Sequence, residues 1–405
     1  CFKMSEMIDS LMSGFPPAAN DQVKASAWRI PRHARWSFNH LRQLLPTAPI
    51  AASSIHAKLT SARRDLTELT FSDHANQQHD IQRFLKTSNT DAFAVMHRGQ
   101  LVFDWFDGFG AADRPHIIFS VTKSMAALLA GVLVGRGVLD PENLVTYYLP
   151  ELVESAYAGA TIRHLLDMQI ASGFCEDYDD IDGIFMAYRR ATAWNPVEEG
   201  VETDGLRNFL KHMPKSPNGS HGQAHHYCSP HSDVLGWVIE RAGNDSFGNQ
   251  FSTHILQPCG GRHESYITLD TYGAPRVSGG MCLGLYDLLI IGEMVRNRGY
   301  ANGHQVVPLS WIDDMITARD NSIWRAQNQG EGHRLFASGN YRSFWYQTGF
   351  NGQEICAIGI HGQWLWINPK KELVIVKLAS HHREVDTDTD RLMLAAFAAI
   401  ADTLT

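Results

Sequence analysis

Apolar residues recur along the chain with two different periods, and the changes of period divide it. Ala92-Phe-Ala-Val-Met96 and Leu101-Val-Phe-Asp-Trp105 are short apolar runs on either side of His97-Arg-Gly-Gln100, a pattern that predicts a β-hairpin with a Gly-containing turn. The stretch from Met125 to Val134 is apolar on every face, opens near Ser120 and stops at Gly135 and Gly137, which predicts a buried helix. Thr161-Ile-Arg-His-Leu-Leu166 starts a short helical segment that ends at Ser172-Gly173. Asp233 to Ala242, closed by Gly243, and Leu283 to Arg296 predict two further helices. Strand character returns at 355–360, 363–367 and 373–378, with Asn368-Pro-Lys-Lys371 as the turn between the last two, and a final helix is expected over 391–401. Strands near both ends around a helical middle predict an α+β fold: an antiparallel sheet completed by both termini, flanked by helices, with an inserted α-helical lobe. The expected division is an extension packed on the body (1–75, anchored by Trp28, Trp36 and Phe38), an α/β lobe with the sheet and the buried helix (76–140 and 277–405), and a mainly α-helical lobe (141–276).

Composition narrows the partners. The 405 residues are 44% hydrophobic and 19% charged, ordinary for a globular protein, with a net charge of -8. Lys and Arg form no basic stripe, so no nucleic-acid partner is expected. Met125 to Val134 is the longest apolar stretch and is too short to span a bilayer, so no membrane association is expected. The six cysteines form no C-x-x-C pair and read as small buried hydrophobes, which favours a reducing, cytoplasmic location. No signal-peptide pattern is visible, and a chain that begins at Cys1 is expected to have been trimmed.

Three local patterns carry chemistry. In Phe119-Ser120-Val-Thr-Lys123 the serine and lysine stand one helical turn apart, within reach of each other. Serine is a poor nucleophile until a base takes its proton, and burial lowers the pKa of a lysine toward that role. A capping serine followed by a surface lysine would read the same way. However, this is the only Ser-x-x-Lys in the chain, and it opens an apolar helix where a charged lysine is costly. In His226-Tyr227-Cys-Ser229-Pro230 the tyrosine can shuttle a proton if it lies near a lysine, and Ser229 can face the same cleft; a loop tyrosine packed on the core is the plainer alternative. In Gly359-Ile360-His361-Gly362-Gln363 a strand-edge N–H can donate to an oxyanion, although an ordinary β-bulge would also account for the glycines.

The order of these patterns resembles the serine β-lactamase and penicillin-binding-protein superfamily, with its S-x-x-K, Y-x-[NS] and K/H-T-G elements. The likeness extends through Thr161-Ile-Arg-His-Leu-Leu…Ala171-Ser-Gly-Phe174, Ser278-Gly-Gly-Met…Asp287-Leu-Leu and Gly362-Gln-Trp-Leu-Trp-Ile-Asn-Pro369, about residues 90 to 400. Within the superfamily the chain is most similar to the 6-aminohexanoate-dimer hydrolase (nylon-oligomer hydrolase) branch, which the lead-in Ser13-Gly-Phe-Pro-Pro17 and Trp36-Ser-Phe-Asn-His40 also resembles.

The resemblance implies a serine hydrolase that cleaves small-molecule linear amides and carboxylic esters through an acyl-enzyme, without metal or organic cofactor, and a homodimer. It assigns Ser120 as nucleophile, Lys123 as general base and Tyr227 as proton donor to the leaving group. It also assigns the N–H groups of Ser120 and Ile360 as oxyanion hole and Tyr178 as a lid. Lys-Thr-Gly is missing: Ala357-Ile-Gly359 stands in its place, with His361 close by as a candidate substrate contact. That departure argues against efficient β-lactam or peptide hydrolysis. Binding of an aminohexanoate amine would want a carboxylate near the lid, for which Asp177, Asp179, Asp180 and Asp182 are candidates, whereas Tyr188-Arg-Arg is basic. A family VIII-type carboxylesterase without amide activity, a β-lactamase or penicillin-binding protein, and a non-catalytic relative are the alternatives. His225-His226 and His381-His382 lack a third ligand at metal spacing and are expected in surface or supporting roles. Asp386-Thr-Asp-Thr-Asp390 reads as a solvated turn or helix start. Gly-x-Ser-x-Gly is absent, which argues against an α/β-hydrolase elbow.

Overall fold

The computed structural model describes residues 10–177, 183–195, 203–317, 320–327, 330–350 and 353–405. The predicted hairpin forms from Thr90–His97 and Gln100–Phe106, closed by Arg98 and Gly99 with φ of 52° and 73°. Two central residues at positive φ match the twist of the flanking strands, which is why a short turn suffices. The hairpin joins an eight-stranded sheet in the order Asn340–Arg342, Trp345–Gln347, Ile355–Gly359, Gln363–Asn368, Leu373–Ala379, Thr90–His97, Gln100–Phe106 and Thr60–Ser61. Every pairing is antiparallel except that of the outermost Thr60–Ser61. Leu373–Ala379 is buried along its whole length and pairs with strands from both ends of the chain, so the sheet is completed by both termini.

Helix Leu285–Arg296 covers one part of this sheet, with Gly292 close against Val374 and Leu365. The C-terminal helix Thr387–Leu404 starts earlier than expected because the Asp386 side chain accepts from the Thr389 N–H, so the acidic run is a helix start. Its Phe397 packs on Trp364 and Trp366. The apolar helix Val121–Gly135 is buried from Val121 to Leu133.

A second, four-stranded antiparallel sheet was not foreseen. It consists of Thr47–Ile50, Ser265–Thr268, Met281–Leu283 and His116–Ile117 in that order. Strands of two to four residues are too short to leave an alternating pattern. This sheet nevertheless aims the helix that follows Ser120: Ile117 pairs with Cys282, and the Ile118 N–H donates to the Met281 carbonyl at 3.0 Å. Trp28 and Phe38 from the N-terminal segment are buried against Phe119.

Cys228, Cys259, Cys282 and Cys356 are buried, as small hydrophobes should be, but Cys175 is exposed. Among the described residues no helix is long and apolar enough to cross a membrane.

Candidate active site

The chain reaches Ser120 through a tight corner. Phe119 has φ of 43°, a left-handed conformation that a bulky residue adopts only under constraint. The constraint is aromatic: Trp28, Phe38, Trp194 and His361 surround its ring. Ser120 is the N-cap of the helix, with its side chain unused in capping and left for other partners. Lys123 supplies one. Its Nζ lies 2.9 Å from Ser120 Oγ and 2.6 Å from the Ser278 carbonyl oxygen. The lysine is 1% exposed, and burial pushes its ammonium down to about 8, against the opposing pull of Glu176 and Asp233 and with help from Arg276. A lysine that is neutral in part of the population near neutrality can accept a serine proton along the existing hydrogen bond.

Tyr227 comes to the same place, with Lys123 Nζ 5.1 Å from its ring centroid and an edge contact to Tyr341. Ser229 opens helix Ser229–Gly243, and its N–H and Oγ donate to the two carboxylate oxygens of Glu176 at 2.9 and 3.0 Å. Ile360 sits one residue beyond strand Ile355–Gly359. Gly359 presses against the carbonyl of Ile118, where a Cβ would stand 2.6 Å away. Only glycine allows that approach, which brings the strand end beside the corner that carries Ser120. Ser120, Tyr227, Glu176, Trp324, Tyr346 and Ile360 line a cleft of about 230 Å³.

The turn holding Ile360 is clamped by Gln363, which is fully buried. Its Nε2 donates to the carbonyls of Ile360, His361 and Ala379, and its Oε1 accepts from the Ala379 N–H. His361 departs from expectation. Its side chain turns away from the cleft into the cluster of Phe38 and Phe119, with Nδ1 2.8 Å from the His381 carbonyl oxygen. Burial lowers its pKa to about 4, so at neutral pH it carries no charge to replace the missing cation of the strand. His381 is likewise buried and not at the surface, with Nε2 2.8 Å from Lys377 Nζ. His225 is packed between Trp324 and Tyr341 and is lowered to about 4. Among the described residues no three metal-ligating side chains cluster. Asp177 is exposed; Tyr178, Asp179, Asp180 and Asp182 lie outside the described residues.

The sequence reading gave no role to three charged residues around the lysine, Glu176, Asp233 and Arg276. Glu176 lines the cleft. Asp233 accepts from the Ser278 N–H at 2.8 Å and from the Tyr188 hydroxyl, and so fixes the Ser278 carbonyl that holds Lys123. Burial raises the Asp233 pKa, opposed by Arg276 and these hydrogen bonds. Arg276 is nearly buried and stacks on Trp194, 3.7 Å from the ring centroid. One signal was available: Asp233 follows Ser229 by four residues, on the same helix face.

A serine at a helix start, a lysine one turn on and a tyrosine over that lysine, beside the edge of an antiparallel sheet, define a serine hydrolase of the β-lactamase type. The profile of the Beta-lactamase family matches residues 80–400, and the chain belongs to that family. It is 31% identical over 367 residues, 90% of each chain, to the 6-aminohexanoate-dimer hydrolase of Paenarthrobacter ureafaciens. The resemblance to that branch is thereby borne out. Esterase EstB of Burkholderia gladioli is 30% identical over 161 residues, 37% of this chain and 38% of that one. Among solved structures, a Bacillus anthracis protein assigned as a 6-aminohexanoate-dimer hydrolase superposes with a TM-score of 0.84, covering 96% of this chain and 99% of that one at 22% identity. A family VIII carboxylesterase gives 0.56 over 79% and 95% at 17% identity. At these identities the structural likeness speaks for the fold.

Proposed function

We propose that this serine hydrolase cleaves linear amides and carboxylic esters of small molecules through an acyl-enzyme, with chemistry like that of the 6-aminohexanoate-dimer hydrolases. The observation that carries the reading is the 2.9 Å contact between Ser120 Oγ and a buried lysine lowered to about 8. Neutral Lys123 takes the Ser120 proton as Oγ attacks the carbonyl. The oxyanion that develops accepts from the N–H groups of Ser120 and Ile360. Tyr227 delivers a proton to the departing amine or alcohol, and water then attacks the acyl-enzyme with the same groups in reverse roles. His361, neutral and buried, does not supply the cation that a β-lactam carboxylate would meet on this strand, which weighs against β-lactam turnover.

The test compares p-nitrophenyl butyrate, the linear 6-aminohexanoate dimer and nitrocefin, for the protein and its Ser120→Ala variant. Ester and dimer cleavage, both lost in the variant, is the expected result. Ester cleavage alone leaves a carboxylesterase of the same mechanism, rapid nitrocefin turnover makes it a β-lactamase, and full activity in Ser120→Ala overturns the assignment.

A further inference from the structure

Beyond Ser120 the cleft continues into a second, smaller cavity of about 20 Å³, bounded by Ser120, Ile360 and Glu176 on the near side and by Arg189, Arg276 and Trp194 on the far side. That volume holds one small polar group. Arg276 is 5% exposed. Its guanidinium lies between the rings of Trp194 and Tyr188, and one terminal nitrogen donates to Thr192 Oγ1. Its Nε is buried and, among the described residues, has no hydrogen-bond partner. Among the described residues the nearby acids are already engaged: Asp233 by Tyr188 and the Ser278 N–H, Glu176 by both donors of Ser229. A buried guanidinium that lines a cavity, with one N–H left unpaired among the described residues, is a costly arrangement unless an anion comes close to it. Carboxylates suit it best, because the planar fork of arginine matches their two oxygens.

Which arm of the substrate enters follows from Tyr227. Tyr227 lines the large cleft and not the small cavity. If Tyr227 protonates the leaving group, the leaving group occupies the large cleft and the acyl chain points toward Arg276. We propose that the small cavity is a carboxylate subsite and that the preferred substrates are amides or esters whose acyl chain carries an anionic group, as in half-esters and half-amides of dicarboxylic acids. The inference rests on the acyl-enzyme reading above and narrows its acyl half: an ω-ammonium chain, as in the aminohexanoate dimer, is still cleaved but at a lower kcat/KM than an anionic one, because it meets the same arginine with the wrong sign.

The test uses p-nitrophenyl esters of equal length and different charge, in four- and six-carbon series: the half-ester of the dicarboxylic acid, the ester of the alkanoic acid and the ester of the ω-amino acid. The expected order of kcat/KM is anionic over neutral over cationic. In Arg276→Met the ratio of anionic to cationic rates is expected to fall about tenfold or more, as for loss of a charge-assisted pair. Arg276→Lys, which keeps the charge without the fork, is expected to fall between. Because each ratio is taken within one protein, a lower folded fraction cancels. A cationic preference in the wild-type protein, or ratios unchanged in both variants, overturns the subsite while leaving the hydrolase intact. Turnover of no ester overturns the hydrolase reading and the subsite with it.

Discussion

Among the described residues two lysines are fully buried, and they lead different lives. Lys123 stands at the start of the apolar helix, and Lys377 lies in the middle of the central sheet. Burial is the largest cause of a lowered pKa at both, to about 8 and about 7. Lys377 touches the Gly362 carbonyl oxygen and His381 Nε2, at 3.3 and 2.8 Å. Lys123 touches a serine hydroxyl that opens onto a cleft. Desolvation therefore lowers the pKa of both amines, but only Lys123 stands beside a hydroxyl that lines a cleft. A depressed lysine pKa is a statement about burial; the partner across the hydrogen bond turns it into chemistry.

The contrast can be broken most severely at Lys123. Lys123→Met is expected to lower kcat on p-nitrophenyl butyrate by about 10³-fold or more, the range for losing a general base, while circular dichroism stays native. An activity loss as large in Lys377→Met would abolish the distinction. Tyr227→Phe is expected to cost about 10²-fold in kcat, with a larger loss on amides than on activated esters, because poor leaving groups depend most on a proton.

The pH profile sharpens the comparison further. Below about 8 Lys123 is protonated and cannot accept, so kcat/KM is expected to rise with pH through that value and then level. Glu176 raises the Lys123 pKa, so Glu176→Gln is expected to move the rising limb to lower pH, and a limb moved upward would contradict the arrangement.

Lys377 enters only stability. Its native form loses its proton near 7, whereas the unfolded chain keeps one up to about 10.5, so between these values the unfolded state binds more protons and stability rises with pH. Lys377→Met is expected to keep activity within about threefold. It is also expected to flatten that slope, so that the stability difference, wild type minus variant, grows from pH 7 to 10 in urea titrations. An unchanged slope would place the lysine's proton elsewhere.

Much of this was legible from residue order alone. The hairpin around Arg98-Gly99, the helix after Ser120 and the strands from Ile355 to Ala379 all follow from period and punctuation, because each is long enough to bury a continuous apolar face. The Ser-x-x-Lys spacing states that the two side chains share a helix face, whatever the rest of the fold does. Local chemistry of this kind is set within one turn of backbone and needs no distant partner.

What only the tertiary structure decided is the surroundings of that pair. The short sheet that aims Phe119 and Ser120 draws strands from positions far apart in sequence, each too brief to leave a pattern. His361 is near the cleft in sequence yet points into an aromatic cluster, because backbone register and the Gln363 clamp direct it inward. Glu176, Asp233 and the segment from Arg276 to Ser278 are far apart in sequence and meet around Lys123 only in the folded chain. The chain order is enough to single out Ser120 and Lys123 as neighbours on one helix turn. The burial that lowers the Lys123 pKa, and the charges of Glu176, Asp233 and Arg276 that modulate it, depend on distances between segments, and those are fixed only by packing.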